Sequence, residues 1–257
     1  MSTQPLLELK GVSKRFGAVQ ALSKVDFSCR NGEVMALVGD NGAGKSTLIK
    51  GIAGIYPFDE GETFFDGQPV NIHSPRDTAN LGIEVVYQDL ALADNLDVVA
   101  NMFLGRERTR SFWRLDETAM EQASLETLDS LSVTTIRSVR QAVAGLSGGQ
   151  RQAIAVAKAV MWNSRLVILD EPTAALGVAQ TRQVLDLVRR LADKGLAVVL
   201  ISHNLHDIFE VADRITVLRL GQRVAELEAA ETTQQDVVHA ITAGTMDHVP
   251  GMKEEVA

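Results

Sequence analysis

Short apolar runs with little polar alternation recur along the chain. They comprise residues 34–38, 83–87, 166–169, 197–201 and 215–218. Such runs are typical of β-strands that are buried on both faces, because neither face then has to carry polar side chains. We therefore expect these segments to form a mostly parallel sheet that is covered by helices.

Helical patterns lie between the apolar runs. Residues 45–55 follow a glycine-rich turn, and residues 178–194 carry an apolar face that stops before Gly195, a residue that favours a helix end. Because strands alternate with helices in this way, the sequence predicts an α/β fold.

The middle of the chain departs from this alternation. Between about Leu90 and Met161 the sequence contains no convincing strand pattern and several helical stretches, among them residues 115–131. The apolar residues that fall roughly in register on that stretch are Met120, Leu125, Leu128 and Leu131. We interpret the region as an α-helical subdomain that is inserted into the α/β core.

An antiparallel β layer is predicted beside the core. Residues 6–12 and 62–70 have strand-like patterns, and Asp66-Gly67 is a turn sequence between apolar positions. The predicted organisation is an α/β core with its β layer at residues 1–89 and 160–245, a helical subdomain at 90–159 and a loose tail at 246–257.

The length, net charge and cysteine count of the chain argue against several kinds of protein function. The 257 residues are 46% hydrophobic, which suits one large domain or two closely merged domains. The formal net charge of −8 disfavours a nucleic-acid partner, because non-specific duplex binding needs a broad basic field. Cys29 is the only cysteine, which excludes an intrachain disulfide and a cysteine metal cluster. No signal peptide or membrane-spanning run is recognised, so we expect a cytoplasmic protein.

A phosphate-binding loop follows the run at 34–38. The stretch GDNGAGKST matches the pattern G-x-x-x-x-G-K-[ST] and opens a helical segment, which is the context this pattern needs. Its residues, all expected to contact nucleotide, are Gly39, Asp40, Asn41, Gly42, Ala43, Gly44, Lys45, Ser46 and Thr47. We expect Lys45 to reach the β- and γ-phosphates and Ser46 to bind Mg²⁺. The loop alone does not distinguish a kinase from a GTPase, a motor or a pump.

Two adjacent carboxylates follow the run at 166–169. They lie at the carboxyl edge of the predicted sheet, beside the phosphate loop. Asp170 is expected to hold Mg²⁺ through water, and Glu171, which strand alternation would point the other way, is expected to polarise a water in line with the γ-phosphate. Taken alone, the pair is more typical of solvated acids at a strand end.

Three further residues complete the candidate site, and each also has a purely structural interpretation. Gln88 closes the run at 83–87, where its amide oxygen would meet both the metal and the attacking water. His203 follows the run at 197–201 and is expected to hold the γ-phosphate, the water and Glu171 in place. Phe16 is expected to stack on adenine, although an aromatic residue there is otherwise typical of a core.

The stretch LSGGQ carries no group that can catalyse a reaction. Its residues are Leu146, Ser147, Gly148, Gly149 and Gln150. Small residues before a helix leave its first N–H groups open, so the stretch is suited to bind an anion. Ser147 is equally a good helix N-cap, which is the plain structural interpretation.

In this order, from Phe16 through the phosphate loop to His203, the motifs resemble those of the nucleotide-binding subunit of an ATP-binding-cassette transporter, over residues 6–222. The resemblance implies a RecA-like P-loop NTPase core and an ATPase that uses ATP and Mg²⁺. It also implies that LSGGQ is the signature motif, which closes on the γ-phosphate held by a second subunit. The expected partner is a second copy of this chain, in an ATP-dependent homodimer.

The segments at residues 84–92 and 95–105 resemble single-cassette importers of simple sugars, of the fructose, ribose and xylose types. This resemblance implies a peripheral protein at the cytoplasmic face of the cell membrane that powers monosaccharide uptake. It implies permease subunits that dock between Leu90 and Phe103, on exposed apolar residues such as Leu92, Leu96 and Phe103. A periplasmic or extracellular sugar-binding protein would act as an indirect partner.

Other classes remain as alternatives. A cassette ATPase of the DNA-repair or translation type would carry a coiled coil, zinc-binding cysteines, basic extensions or a second cassette, none of which this sequence has. A non-hydrolysing binding module would be favoured if Glu171 or His203 were missing. The chain departs from the family pattern at Gly177, where an aspartate that contacts the second subunit is usual.

Overall fold

A six-stranded sheet forms the centre of the fold in a computed structural model that describes residues 4–111 and 113–243. Its strands are β3 (Val34–Val38), β6 (Ile83–Val86), β9 (Leu166–Asp170), β10 (Ala197–Ile201), β11 (Arg214–Arg219) and β12 (Gln222–Glu228). The spatial order is β12-β11-β3-β10-β9-β6, and all neighbours are parallel except β11 and β12. The prediction of five apolar strands in a mostly parallel sheet is therefore confirmed.

A second, antiparallel sheet lies beside the first. It contains β1 (Leu7–Phe16), β2 (Val19–Cys29), β4 (Glu60–Phe65) and β5 (Gln68–Pro69), in the order β2-β1-β4-β5. The turn between β4 and β5 has positive φ at both Asp66 and Gly67, as the sequence predicted. Cys29 is buried in this layer, and burial raises the pKa of its thiol far above the usual range.

Eight helices lie in the described part of the chain. They are α1 (Lys45–Ile52), α2 (Pro75–Leu81), α3 (Val98–Phe103), α4 (Glu117–Ser130), α5 (Gly148–Val160), α6 (Val178–Asp193), α7 (Leu205–Val211) and α8 (Gln234–Ala243). Helix α1 ends three residues before the predicted 55, because Ala53 caps it and Gly54 turns the chain with φ 72°. Within residues 4–111 and 113–243, no helix is both long and apolar enough to cross a membrane.

The inserted region is helical but not entirely so. The expectation of no strand between Leu90 and Met161 is wrong, because β7 (Thr109–Ser111) and β8 (Arg114–Leu115) form a short hairpin. Both strands are exposed and polar, so they lack the apolar pattern by which strands are recognised. On α4 the predicted Leu125 is 50% exposed, and Ser124 takes the buried position, where its hydroxyl bonds the carbonyl of Met120 at 2.8 Å.

Each face of the central sheet has its own core. On one face, Val167 and Leu169 of β9 join a cluster with α3, α5 and α6, so the inserted helices share their core with the sheet. On the other face, Ile168 joins a cluster with α1 and the antiparallel layer. The domain boundaries remain a prediction, and the predicted tail at 246–257 lies outside the described residues.

Candidate functional site

A cleft of about 1100 Å³ opens at the carboxyl ends of β3, β9 and β10. Four segments that are distant in the sequence meet there. The predicted site residues that line it are Gly39 through Thr47, Gln88, Asp170, Glu171 and His203. Because parallel strands end at one edge of the sheet, the topology alone brings these groups together.

The loop between β3 and α1 needs glycine for two reasons. Gly39, Gly42 and Gly44 have φ of 149°, 81° and 104°, a region that other residues rarely adopt. A Cβ atom on Gly39 would also lie 2.2 Å from the carbonyl oxygen of Leu218. Gly44 is the N-cap of α1 and has no side chain, so the N–H groups of this helix start face the cleft without an intervening group.

Lys45 supplies the cationic group of the loop. Its ammonium donates to the carbonyl oxygens of Gly39 at 2.6 Å and Asp40 at 3.0 Å. Burial lowers the pKa of Lys45, while the charges of Glu171, Asp40 and Asp170 act to raise it. A bound polyphosphate would act in the same direction as those carboxylates and favour the charged ammonium.

The groups near Asp170 fit a divalent cation. Burial raises the pKa of Asp170, and the neighbouring charge of Glu171 raises it further, against Lys45 and Lys50. A cation beside this carboxylate would relieve both effects. Among the described residues no group of three or more acidic, histidine or cysteine side chains forms a metal site. Mg²⁺ would instead use Asp170 with the oxygens of Ser46, Gln88 and the nucleotide, the hard ligands it prefers.

Glu171 and His203 form the closest side-chain contact in the cleft. His203 Nδ1 lies 2.7 Å from Glu171 Oε2, with the glutamate side chain 17% exposed and the histidine side chain 77% exposed. Strand alternation does not orient Glu171, contrary to the sequence argument, because β9 ends at Asp170. Glu171 has φ 51°, a left-handed conformation that a strand residue does not adopt, and in this conformation its carboxylate contacts His203.

A buried carboxylate behind this contact was not predicted. Asp207, 3% exposed, accepts a hydrogen bond from the hydroxyl of Thr173 at 2.7 Å and another from the side-chain amide of Asn204 at 2.8 Å. Thr173 follows Glu171 in one loop, and Asn204 follows His203 in another. The only signal in the sequence is a polar residue on the buried side of a short helix, which is too weak to identify the contact.

The LSGGQ residues lie outside the cleft. Ser147 caps α5 in a capping box with Gln150, whose side-chain oxygen accepts the Ser147 N–H at 2.9 Å. Among the described residues, the N–H groups of Gly148 and Gly149 have no acceptor. Neither glycine has positive φ. A Cβ atom on Gly148 would lie 2.8 Å from Leu176 Cδ2, and one on Gly149 would lie 3.1 Å from Gln180 Cβ.

Phe16 does not line the cleft. Its ring packs edge-to-face on Tyr56 with centroids 5.1 Å apart, and it is 45% exposed. The role predicted for it in stacking on adenine therefore stays a prediction. Outside the phosphate loop, the apolar residues that line this cleft are Val19, Ala21, Val38, Ile201, Leu205, Leu220, Val238 and Ile241. Val38 and Ile201 end strands that the sequence predicted. For the others the sequence carried no signal, because single apolar residues in an edge strand, a turn or a helix are not distinctive.

The predicted docking segment is only partly accessible. Phe103 is fully buried and packs on Trp162 at 5.5 Å, so its expected exposure is wrong. It belongs to the core that α3 shares with α5. Leu90, Leu92 and Leu96 are half-buried, which leaves part of each side chain at the surface.

The sequence is similar to that of several known proteins. The family model described as ABC transporter matches residues 22–174. The chain is similar to the fructose import ATP-binding protein of Rhizobium meliloti, with 46% identity over 94% of this chain and 95% of that protein. It is similar to the xylose/arabinose import ATP-binding protein of Sulfolobus acidocaldarius, with 46% identity over 95% of this chain and 96% of that protein.

A solved structure aligns over most of the chain as well. It is the dimeric structure of the ATP-binding cassette MJ0796 in a post-hydrolysis state, bound to ADP and Pi. The TM-score is 0.71 at 25% identity, with 87% of this chain and 98% of that chain covered.

Proposed function

The chain belongs to the ABC transporter family, and from this premise we propose that it is the ATP-binding and ATP-hydrolysing subunit of a monosaccharide importer. The observation that carries the proposal is the 2.7 Å contact between Glu171 and His203 in the cleft of the phosphate loop. A module that only binds ATP has no use for a carboxylate and an imidazole held together beside the phosphate site.

Hydrolysis transfers the γ-phosphoryl group to water. The oxygen of a water attacks the γ-phosphorus, the bond to the β–γ bridging oxygen breaks, and Glu171 accepts a proton from the water. His203 holds Glu171 through its Nδ1, and its exposed ring lines the cleft, where it would contact a γ-oxygen. Mg²⁺ bound through Ser46, Gln88 and Asp170 would neutralise charge on the phosphates. Lys45 supplies the further positive charge.

The second half of the site is assigned to another copy of the chain. The open N–H groups of Gly148 and Gly149 lie outside the cleft, so they are available to phosphate only across an interface. We propose an ATP-dependent homodimer in which each signature stretch faces the cleft of its partner. The dimeric cassette that aligns with this chain supports such an arrangement.

Import of a monosaccharide is proposed from the two import ATP-binding relatives. Integral membrane permease subunits would dock at the half-buried Leu90, Leu92 and Leu96, which holds this subunit at the cytoplasmic face of the membrane. A sugar-binding protein on the other side of the membrane would deliver the sugar to the permease. No feature of the described residues favours the DNA-repair or translation alternative.

The test is light scattering after size exclusion, combined with an ATPase assay, on Glu171→Gln. We expect at least a 100-fold loss of turnover, because a general base contributes about 10²–10⁴-fold. Since ATP is then retained, we expect a shift from monomer to dimer with MgATP. Glu210→Gln is the matched control, because Glu210 is an exposed carboxylate on α7 that does not line the cleft. Wild-type turnover in Glu171→Gln would refute the assignment of Glu171.

The cargo needs a cellular assay. Cells that lack the gene should lose uptake of one labelled pentose or hexose, and the wild-type chain should restore uptake whereas Glu171→Gln should not. Unchanged uptake of every monosaccharide would refute the importer assignment while leaving the ATPase assignment intact.

A further inference from the structure

We propose that Asp207 is a positioning residue for ATP hydrolysis, which acts by tying the loop of Glu171 to the loop of His203. The inference rests on the proposed function. Asp207 contacts neither the phosphate loop nor the two catalytic side chains, so it would act through Thr173 and Asn204.

The geometry forms a closed ring of contacts. Thr173 and Asn204 each donate to a different oxygen of Asp207, at 2.7 Å and 2.8 Å. Two residues before Thr173, Glu171 meets His203 at 2.7 Å, and His203 is the residue before Asn204. Two side-chain contacts thus connect residues 171–173 to residues 203–207, one between Glu171 and His203 and one between Thr173 and Asp207. If the Thr173–Asp207 bond is removed, the Glu171–His203 contact has to hold the two segments together by itself.

An aspartate at position 207 is unfavourable for stability if the side chain only fills space in the core. Among the described residues, no lysine or arginine pairs with it, although its side chain is almost completely buried. The first turn of α7, where Asp207 lies, offsets part of the free-energy cost of burying a carboxylate, but an apolar residue of similar size would avoid that cost altogether. The bond from Asn204 is local to the start of α7, so it is the bond from Thr173 that reduces this cost only when the loop of Glu171 keeps its observed position.

Glu171 depends on such support. Its left-handed φ of 51° is unfavourable for a residue with a side chain, so the loop needs outside contacts to hold it. The backbone supplies one, from the Glu171 N–H to the carbonyl of Ile201 at 2.9 Å. The Thr173–Asp207 bond is the next contact along the loop, and it fixes the carboxyl-terminal side of the turn.

The experiment compares Thr173→Val with Thr173→Ser in the full chain. Valine keeps the shape and removes the hydroxyl donor, whereas serine keeps the donor. We expect Thr173→Val to lower kcat about 10-fold with KM for ATP changed less than 2-fold, because small displacements of catalytic groups have such effects. Thr173→Ser should retain the wild-type kcat. Asp207→Ala should resemble Thr173→Val, and the double variant should be no slower than Asp207→Ala.

A readout without turnover separates this proposal from the proposed function. The ¹⁵N resonance of His203 Nδ1 reports its contact with Glu171, and we expect Thr173→Val to shift it, with Glu210→Gln as an unchanged control. If the wild type hydrolyses no ATP but Thr173→Val still shifts the His203 resonance, the proposed function fails, whereas the positioning of His203 and Glu171 through Asp207 is supported. If the resonance and kcat both stay at their wild-type values while thermal stability falls, Asp207 is merely structural and the proposal is overturned.

Discussion

Two helix starts in this molecule are rich in glycine, and they use glycine for different reasons. At the start of α1, three glycines have positive φ and shape a loop around the half-buried Lys45. At the start of α5, Gly148 and Gly149 have ordinary φ and serve close packing, because side chains of the 176–180 segment lie against them. The first site is shaped by backbone conformation and charge, and the second by the absence of side chains.

This difference has a mechanistic consequence. The cleft places Lys45, Asp170 and Glu171 close together, so the charge of Glu171 acts to raise the pKa values of both Lys45 and Asp170. The stretch at 146–150 carries no charged residue and offers only N–H groups. The charged groups therefore lie in the cleft, and under the proposed function the stretch at 146–150 completes the cleft of a second copy. The following substitutions test that division.

The largest effect is expected for Gly39→Ala. The new Cβ would lie 2.2 Å from a backbone oxygen and at a φ that alanine avoids, so we expect the free energy of unfolding to fall by more than about 2 kcal/mol and nucleotide binding to be lost. Gly42→Ala is the control, since its Cβ would meet nothing within 4 Å. Chemical denaturation and nucleotide titration measure both effects. Equal losses at the two positions would mean that crowding is unimportant.

Gly148→Ala should separate the two sites. The new Cβ meets only the end of the Leu176 side chain, which can move, so we expect less than about 1 kcal/mol of destabilisation. ATP affinity of the monomer should be unchanged, but in the Glu171→Gln background the dimer should dissociate about 10-fold more readily, because a methyl group then stands beside the open N–H groups. Gly145→Ala has free space and is the control. An unchanged dimer would remove Gly148 from the interface.

Asp170→Asn tests whether the buried charge of Asp170 lowers the stability of the folded protein. Because burial raises the pKa of Asp170 in the folded state, the charged form opposes folding above that pKa, and the effect disappears as pH falls below the usual value for aspartate. We expect Asn to raise Tm at neutral pH by up to about 3 °C while slowing Mg²⁺-dependent hydrolysis. The gain should shrink towards pH 3. A lower Tm at pH 7 would contradict this account.

Gly177→Asp is expected to have the smallest effect. Gly177 is the N-cap of α6 with extended backbone, and a Cβ there meets nothing within 4 Å. Aspartate is a better N-cap than glycine by a few tenths of a kcal/mol, so Tm should rise by about 1 °C. The substitution also restores the aspartate of the family pattern, and tighter ATP-dependent dimerisation would assign this position to the interface. Gly177→Asn serves as the uncharged control.

The sequence predicted strands well where both faces of the strand are buried in the central sheet. The strands β3, β6, β9, β10 and β11 are mostly apolar and mostly buried, and the sequence predicted all five. β12 lies at the edge of the sheet and alternates between exposed and buried positions, and β7 and β8 are wholly exposed, so neither pattern stood out. Leu125 was assigned to the buried face of α4 because periodicity alone does not distinguish a leucine at the margin from a buried serine.

The candidate site was predictable where a residue belongs to a contiguous motif. Gly39 through Thr47, Asp170 and Glu171 all line the cleft, and so do Gln88 and His203, which the sequence placed singly after predicted strands. Residues that act through the fold were not predictable: Asp207 reaches Thr173 across 34 positions, and Leu220 reaches the cleft through a turn. The orientation of Glu171 depends on one backbone angle, which the residue sequence does not encode by itself.

The buried Cys29 makes this chain convenient for site-specific labelling. Its thiol is inaccessible, and its raised pKa leaves almost no thiolate to react with maleimides at neutral pH. Since it is the only cysteine, one introduced at the exposed Val178 beside the signature stretch would be the sole reactive site in the native protein. A spin label or fluorophore there would report the distance between two copies as ATP is added and consumed, without removal of any native residue other than the labelled one.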